Sequence, residues 1–169
     1  MTPTERRRAF VTGGGSGIGV ATCRRLAADG FHVVVAELDE VAAKEVAAEV
    51  AGDAVALDVC DVRAVRDAVA AWQPVDVLVN NAGGDRMAFL LETDERDWDA
   101  ALSLNLKGVI ACTHAVLPGM QERRRGVIVN MASEAGRTGV VGGAVSVGRT
   151  GGSGTSISRP SREKLVPER

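Results

Sequence analysis

Ala9-Phe10-Val11-Thr12-Gly13-Gly14-Gly15-Ser16-Gly17-Ile18-Gly19 is the stretch that decides the fold. A short apolar run of strand type ends in a turn too rich in glycine for the interior of a regular element. Helix-period sequence resumes immediately after it. In that position, bare backbone comes within reach of a pyrophosphate, and the N-terminus of the following helix faces its charge.

A glycine-rich turn also serves as plain turn chemistry, so a second feature is needed. Glu37 supplies it, as an acid at the end of the next apolar run. Its carboxylate would accept hydrogen bonds from adenosine ribose hydroxyls and repel a 2′-phosphate, which favours NAD over NADP. Ser16 and Leu38 are counted with Glu37 among the cofactor-binding candidates, and neither offers a phosphate-binding cation. The competing reading of Glu37 is a solvated strand end.

Outward from this turn, strand-type apolar runs alternate with longer helix-period segments. Strands are expected over residues 8–12, 32–36, 54–58, 75–80 and 127–131. Helices are expected over 17–29, from Asp39 to a stop at Gly52, from Asp61 to Trp72, from Thr93 or Asp94 through Trp98, and over 106–121. Apolar strands separated by helices predict an α/β chain, a Rossmann-like doubly wound parallel sheet with helices on both faces. Residues 1–145 are expected to form this domain. Residues 146–169 open on a Gly/Ser/Thr-rich segment with little to bury, which predicts a flexible tail with room for two helical turns at most over 162–169.

Composition removes other classes. The chain has 169 residues, 46% of them hydrophobic, which is enough for one core rather than a disordered chain. The net charge of −2 provides no general field for polyanions. The basic runs Arg6-Arg7-Arg8 and Arg123-Arg124-Arg125 lack interleaved aromatics and read as solvated chain ahead of buried strands, not as a nucleic-acid surface. Cys23, Cys60 and Cys112 form no CxxC pair and read as reduced core thiols. His32 and His114 show no ligand spacing, so no metal is expected. No apolar run approaches 18 residues and no hydrophobic signal region opens the chain, so no membrane is expected and the localisation reads as cytoplasmic. Tyrosine is absent altogether.

Five motifs in order then carry a resemblance: Thr12 to Gly19 in the spacing TGxxxGIG, Asp58-Val59, Asn80-Asn81-Ala82-Gly83, Asn105, and Val127 through Ser133 as VIVNMAS. Together they resemble the short-chain dehydrogenase/reductase family over residues 9 to 145. The resemblance implies that Gly13, Ser16, Gly17 and Ile18 hold the pyrophosphate while Gly19 packs the helix on the sheet. It further implies that Asp58 and Val59 flank the adenine and that Asn81, Ala82 and Gly83 line the ribose side, whereas Asn80 ties strands together. Ser133 matches a catalytic serine that bonds the substrate oxygen, and Asn105 an asparagine that holds a relay water through a local helix distortion. The segments 81–87 and 113–120 are similar to 2-hydroxycyclohexanecarboxyl-CoA dehydrogenases and 3-oxoacyl reductases.

The chain departs from the family after Ser133. The family places a general acid/base Tyr and then a Lys further along, where this chain has Ser146 and Thr150, or Arg149 in the lysine's place if the Tyr is deleted. A serine hydroxyl ionises far above a phenol and is a poor substitute. A frameshift or deletion between 145 and 161 would account for the change in composition, and the family's C-terminal strands are expected to be missing. Two functions follow from the resemblance. One is an NAD-dependent oxidoreductase transferring hydride between a secondary alcohol and a ketone, with an acyl thioester among its candidate substrates and impaired turnover. The other is a non-catalytic NAD-binding remnant or partner subunit. The family's dimers and tetramers imply a homo-oligomer through the helix at 106–121, although its usual companion helix is replaced.

Overall fold

The computed structural model describes residues 6–84 and 88–133. Five parallel strands form one sheet: β1 (Arg8–Thr12), β2 (His32–Glu37), β3 (Asp53–Ala56), β4 (Val77–Asn80) and β5 (Val127–Asn130), in the order β3-β2-β1-β4-β5. Helices α1 (Gly17–Ala28), α2 (Glu40–Glu49), α3 (Val62–Ala71), α4 (Glu95–Leu102) and α5 (Gly108–Glu122) make the crossovers. The doubly wound α/β architecture is as expected.

Strand alternation explains the two cores. Phe10, Val34, Ala36, Leu78 and Ile128 point to one face, where they pack with Val65 and Val69 of α3 and Cys112, Val116 and Met120 of α5. Ala9, Val11, Val33, Val35, Val77 and Val79 point to the other, against Cys23 of α1 and Ala43, Val46 and Ala47 of α2. Every strand residue of β1 from Ala9 to Thr12 is buried, as a central strand covered on both faces requires.

Element ends differ from expectation by a residue or two at several places. The β3 strand ends at Ala56, before Leu57 and Asp58, and β4 begins at Val77 although Asp76 already donates its N–H to the Arg8 carbonyl. Asp39, Asp61 and Asp94 cap α2, α3 and α4 with their side chains, which fixes those starts. The largest difference is that the helix from Glu95 does not stop near Trp98. It continues through a π-helical turn, Ser103–Lys107, into α5, giving one rod over Glu95–Glu122. That rod is long and apolar enough, by length and composition, to cross a membrane. Its inner residues Ala111, Cys112, Val116 and Met120 belong to the core beside α3, as in a core helix of a globular domain.

The two arginine runs meet at the edge formed by the N-terminal ends of β1, β4 and β5. Contrary to the expectation of solvated chain, two of these side chains are structural. Arg8 donates to the carbonyls of Trp72 (2.8 Å) and Gln73 (2.9 Å), and Arg123 to that of Val75 (2.7 Å). Arg125 lies 3.4 Å from Asp76, and Arg7 stacks over Phe31 at 4.5 Å. Carbonyls at the end of α3 and in its exit loop attract these cations.

Cys23 and Cys112 are buried, Cys60 half-buried, and all three are free thiols. Burial pushes the Cys23 and Cys112 thiols up to about 11. Unfolded thiols ionise near 9, so the folded state holds these protons more tightly, and their stabilising contribution is intact below pH 9 and lost as pH climbs toward 11. Urea unfolding followed across that window is expected to lose about 2–3 kcal/mol per thiol, and the double variant Cys23→Ala/Cys112→Ala to show a flatter profile.

Candidate functional site

Strand order reverses between β1 and β4, and a doubly wound sheet opens a crevice at such a point beyond the strand C-terminal ends. The turn after β1 enters this crevice. Gly13 (φ +62°) and Gly17 (φ +48°) adopt left-handed backbone that L side chains avoid. Contact imposes a second demand: a Cβ on Gly13 would stand 2.8 Å from the Ala82 Cα, and one on Gly19 would run into the Gly13 carbonyl oxygen.

Hydrogen bonds lash this turn to both neighbours. On the β4 side the Thr12 hydroxyl accepts the N–H groups of Asn81 and Ala82, each at 3.1 Å, and donates to the Val79 carbonyl at 3.3 Å. The Asn81 amide donates to the carbonyls of Thr12 (3.1 Å) and Gly13 (2.8 Å). On the β2 side the Gly14 N–H donates to the Ala36 carbonyl (3.2 Å) and the Gly15 N–H to Glu37 Oε2 (3.1 Å). The Leu38 N–H holds the other carboxylate oxygen at 2.8 Å. Glu37 is thus a positioned side chain, not a loose strand end.

The resulting cleft, about 260 Å³, is lined by Gly13, Ser16, Glu37, Leu38, Asp58, Val59, Asn81, Ala82 and Gly83. All nine are residues the sequence motifs single out. Gly17, Ile18 and Gly19 form the first turn of α1 and do not line the cleft, and the Ile18 side chain is exposed. Ser16 occupies the N-cap position of α1 but makes no side-chain capping bond, unlike Asp39, Asp61 and Asp94 on their helices. The α1 N-terminus therefore presents N–H groups without a side-chain cap. Leu57 and Leu104 complete the wall and lie outside the sequence motifs. Each precedes a motif residue, Asp58 and Asn105, and apolar residues in those places carry no signal of their own. A cleft of about 380 Å³ at the opposite end of the sheet is lined by Arg7, Phe31, Asp76 and Arg125, none of them part of this constellation.

Asn105 lies within the π turn and is buried. The turn is defined by the Gly108 N–H reaching back to the Ser103 carbonyl, five residues away. The expected helix distortion is therefore present. The Asn105 side chain accepts the Gly84 N–H (3.0 Å) and donates to the carbonyls of Gly84 (2.8 Å) and Ala101 (2.9 Å). It fastens the loop that follows β4 to the helical rod. Asn80 donates to Asn130 Oδ1 (2.8 Å) and to Thr113 (3.2 Å), joining β4 to β5 and α5, the tie expected of it. Ser133 is exposed, three residues beyond β5. Ser146, Arg149 and Thr150, the interval 145–161 and the tail 146–169 lie outside the described residues. Among the described residues, no group of three or more His, Cys, Asp or Glu is placed to hold a metal ion.

Thr12 carries the lashing. Thr12→Val is expected to orphan two N–H groups beneath the cleft and to lower stability by about 2–4 kcal/mol in urea unfolding, with Thr12→Ser recovering most of the loss.

Comparison with known proteins agrees with this geometry. Residues 7–146 match the family model described as short chain dehydrogenase. The chain is 39% identical over 144 residues to an uncharacterized oxidoreductase of Mycobacterium bovis, covering 80% of this chain and 58% of that protein. It is 39% identical over 154 residues to a 3-oxoacyl-[acyl-carrier-protein] reductase of Synechocystis sp., covering 85% of this chain and 62% of that one. A crystal structure of an actinorhodin polyketide ketoreductase variant with NADPH superposes with a TM-score of 0.85 at 36% identity, covering 90% of this chain and 62% of that chain. The chain spans less than two thirds of the length of these relatives. Its glycine turn, its strand order and this match place it in the short-chain dehydrogenase/reductase family.

Proposed function

We propose that this chain binds NAD in the cleft between β1 and β4 and is an oxidoreductase of the short-chain type whose turnover, as the sequence stands, is impaired. The observation that carries the cofactor reading is the Glu37 carboxylate, held at the cleft wall by the N–H groups of Gly15 and Leu38. Each carboxylate oxygen keeps lone-pair capacity for a ribose hydroxyl, while the fixed charge disfavours a 2′-phosphate. The crevice fits a dinucleotide independently of that acid. The closeness of Gly13 to Ala82 leaves room only for backbone, and the α1 N-terminus carries no side-chain cap. The related ketoreductase holds NADPH, so the preference for NAD in this chain rests on Glu37 itself.

The bound nicotinamide would supply or accept hydride. This chain's residues do the remaining work: Gly13, Ser16 and the first turn of α1 bind the pyrophosphate, Asp58 and Val59 flank the adenine, and Asn81 to Gly83 line the ribose. Ser133 hydrogen-bonds the oxygen of a secondary alcohol or ketone, and Asn105 supports a relay water at the π turn. The substrate class, including an acyl thioester, is supported by the resemblance to reductases of carrier-bound acyl groups. Self-association through the helix at 106–121 is supported by Leu106 in the π turn and Ile110 in α5, both of them exposed.

A second reading, binding without turnover, is favoured by the absence of tyrosine from all 169 residues. Loss of a positioned acid/base costs about 10²–10⁴ in rate.

Fluorescence titration with NADH and NADPH, run beside a dehydrogenase assay on secondary alcohols, tests both readings. NADH is expected to bind more tightly than NADPH, and Glu37→Ala to narrow the difference by about tenfold. Turnover is expected to be at or near background. Binding of neither dinucleotide would defeat the proposal, and rapid turnover would defeat its impairment.

A further inference from the structure

We infer that Gly15 determines cofactor choice through Glu37: its missing side chain is the seat in which the Glu37 carboxylate is held. This rests on the NAD reading above and adds a residue to it. Gly15 is not a conformational glycine, because its φ lies outside the left-handed region that Gly13 and Gly17 occupy. An alanine there costs little backbone strain. What the methyl meets is the acid, since a Cβ on Gly15 would stand 2.7 Å from Glu37 Cγ, 3.1 Å from Glu37 Oε2 and 3.0 Å from the Ala42 Cβ.

Of these neighbours, only one is able to yield. Ala42 lies in the first turn of α2, where its N–H and that of Val41 are both held by Asp39 Oδ1 at 3.2 and 2.9 Å. Glu37 is a side chain with rotatable bonds, so it gives way. Its displacement breaks the bond from the Gly15 N–H and moves the carboxylate off the cleft wall. The coupling also runs in the other direction, because the Glu37 carboxylate satisfies an N–H of the very turn that receives the pyrophosphate. Ribose selection and the shape of the phosphate turn are therefore linked through a single contact.

The test is a double-variant cycle of wild type, Gly15→Ala, Glu37→Ala and the combined variant. It is read by thermal melting without cofactor and by NADH and NADPH titration. Gly15→Ala is expected to lower the melting temperature by about 3–5 °C in the wild-type background and by clearly less in Glu37→Ala, where the Glu37 Cγ and carboxylate are gone and the Ala42 Cβ at 3.0 Å remains. NADH affinity is expected to fall about tenfold further than NADPH affinity in Gly15→Ala, and the combined variant to show the NADH/NADPH ratio of Glu37→Ala alone.

An unchanged ratio in Gly15→Ala overturns the inference, as does an equal loss of melting temperature in both backgrounds. Should Gly15→Ala fail to fold, a combined variant that folds supports the inference and one that also fails overturns it. A wild type that does not prefer NADH defeats the NAD reading alone, because the cofactor-free melting cycle still decides whether Gly15 seats Glu37.

Discussion

The Thr12 side chain is the joint on which the site depends. It is buried at the C-terminal end of the central strand, yet its hydroxyl has three partners, all on β4 or the loop that leaves it. A doubly wound sheet needs some such tie, because at the point where strand order reverses the two loops diverge and nothing in the ladder holds them together. The tie draws the Gly13 turn so close to Ala82 that neither a Cβ nor a water layer separates them. Glycine at position 13 is thus a consequence of the tie as well as of the backbone conformation. The cleft exists because the turn is pinned on the β4 side by Thr12 and Asn81 and on the β2 side by Ala36 and Glu37.

The π turn extends the same logic to the loop that leaves β4. An α-helix running without interruption from Glu95 would put its residues on a regular 3.6-residue cycle. The inserted residue breaks that cycle where Asn105 meets Gly84. With both ends of its amide committed to Gly84 and Ala101, the Asn105 side chain has a structural duty. Its value to chemistry under the proposed reading lies in holding the cofactor loop and the distorted helix at one spacing.

The fold was legible because its signals are repeated along the chain. The strand and helix alternation, the Asp caps at 39, 61 and 94, and the ordered motifs all agree, and agreement between levels makes a single architecture the economical solution. Nine of the cofactor residues expected from sequence line the cleft together. What stayed hidden was geometry without a compositional mark. The rod Glu95–Glu122 reads from sequence as two helices, one through Trp98 and one from Leu106, whereas a π turn joins them. Leu57 and Leu104 are ordinary leucines whose place on the wall depends on strand and helix ends. Arg8 and Arg123 looked like solvated charge because their acceptors, the carbonyls of Trp72, Gln73 and Val75, are backbone groups that no side-chain pattern announces.

Cofactor recognition and proton transfer are separable in such a fold, and the tyrosine-free sequence turns that separability into a physical question. The groups proposed to recognise the dinucleotide come from β1 to β4 and their loops, and Gly13, Glu37, Asn81 and Ala82 are held by bonds within that part of the sheet. Ground-state binding needs no acid of matched pKa. It needs N–H groups without internal caps, a fixed carboxylate and space that bare backbone leaves open. Proton transfer needs a group whose pKa lies near the working range. An aliphatic hydroxyl lies far outside it, and one neighbouring cation does not close that distance. Under the proposed reading, the bonds that make this chain a competent cleft are therefore independent of the group that would make it a fast enzyme, and losing the second leaves the first intact.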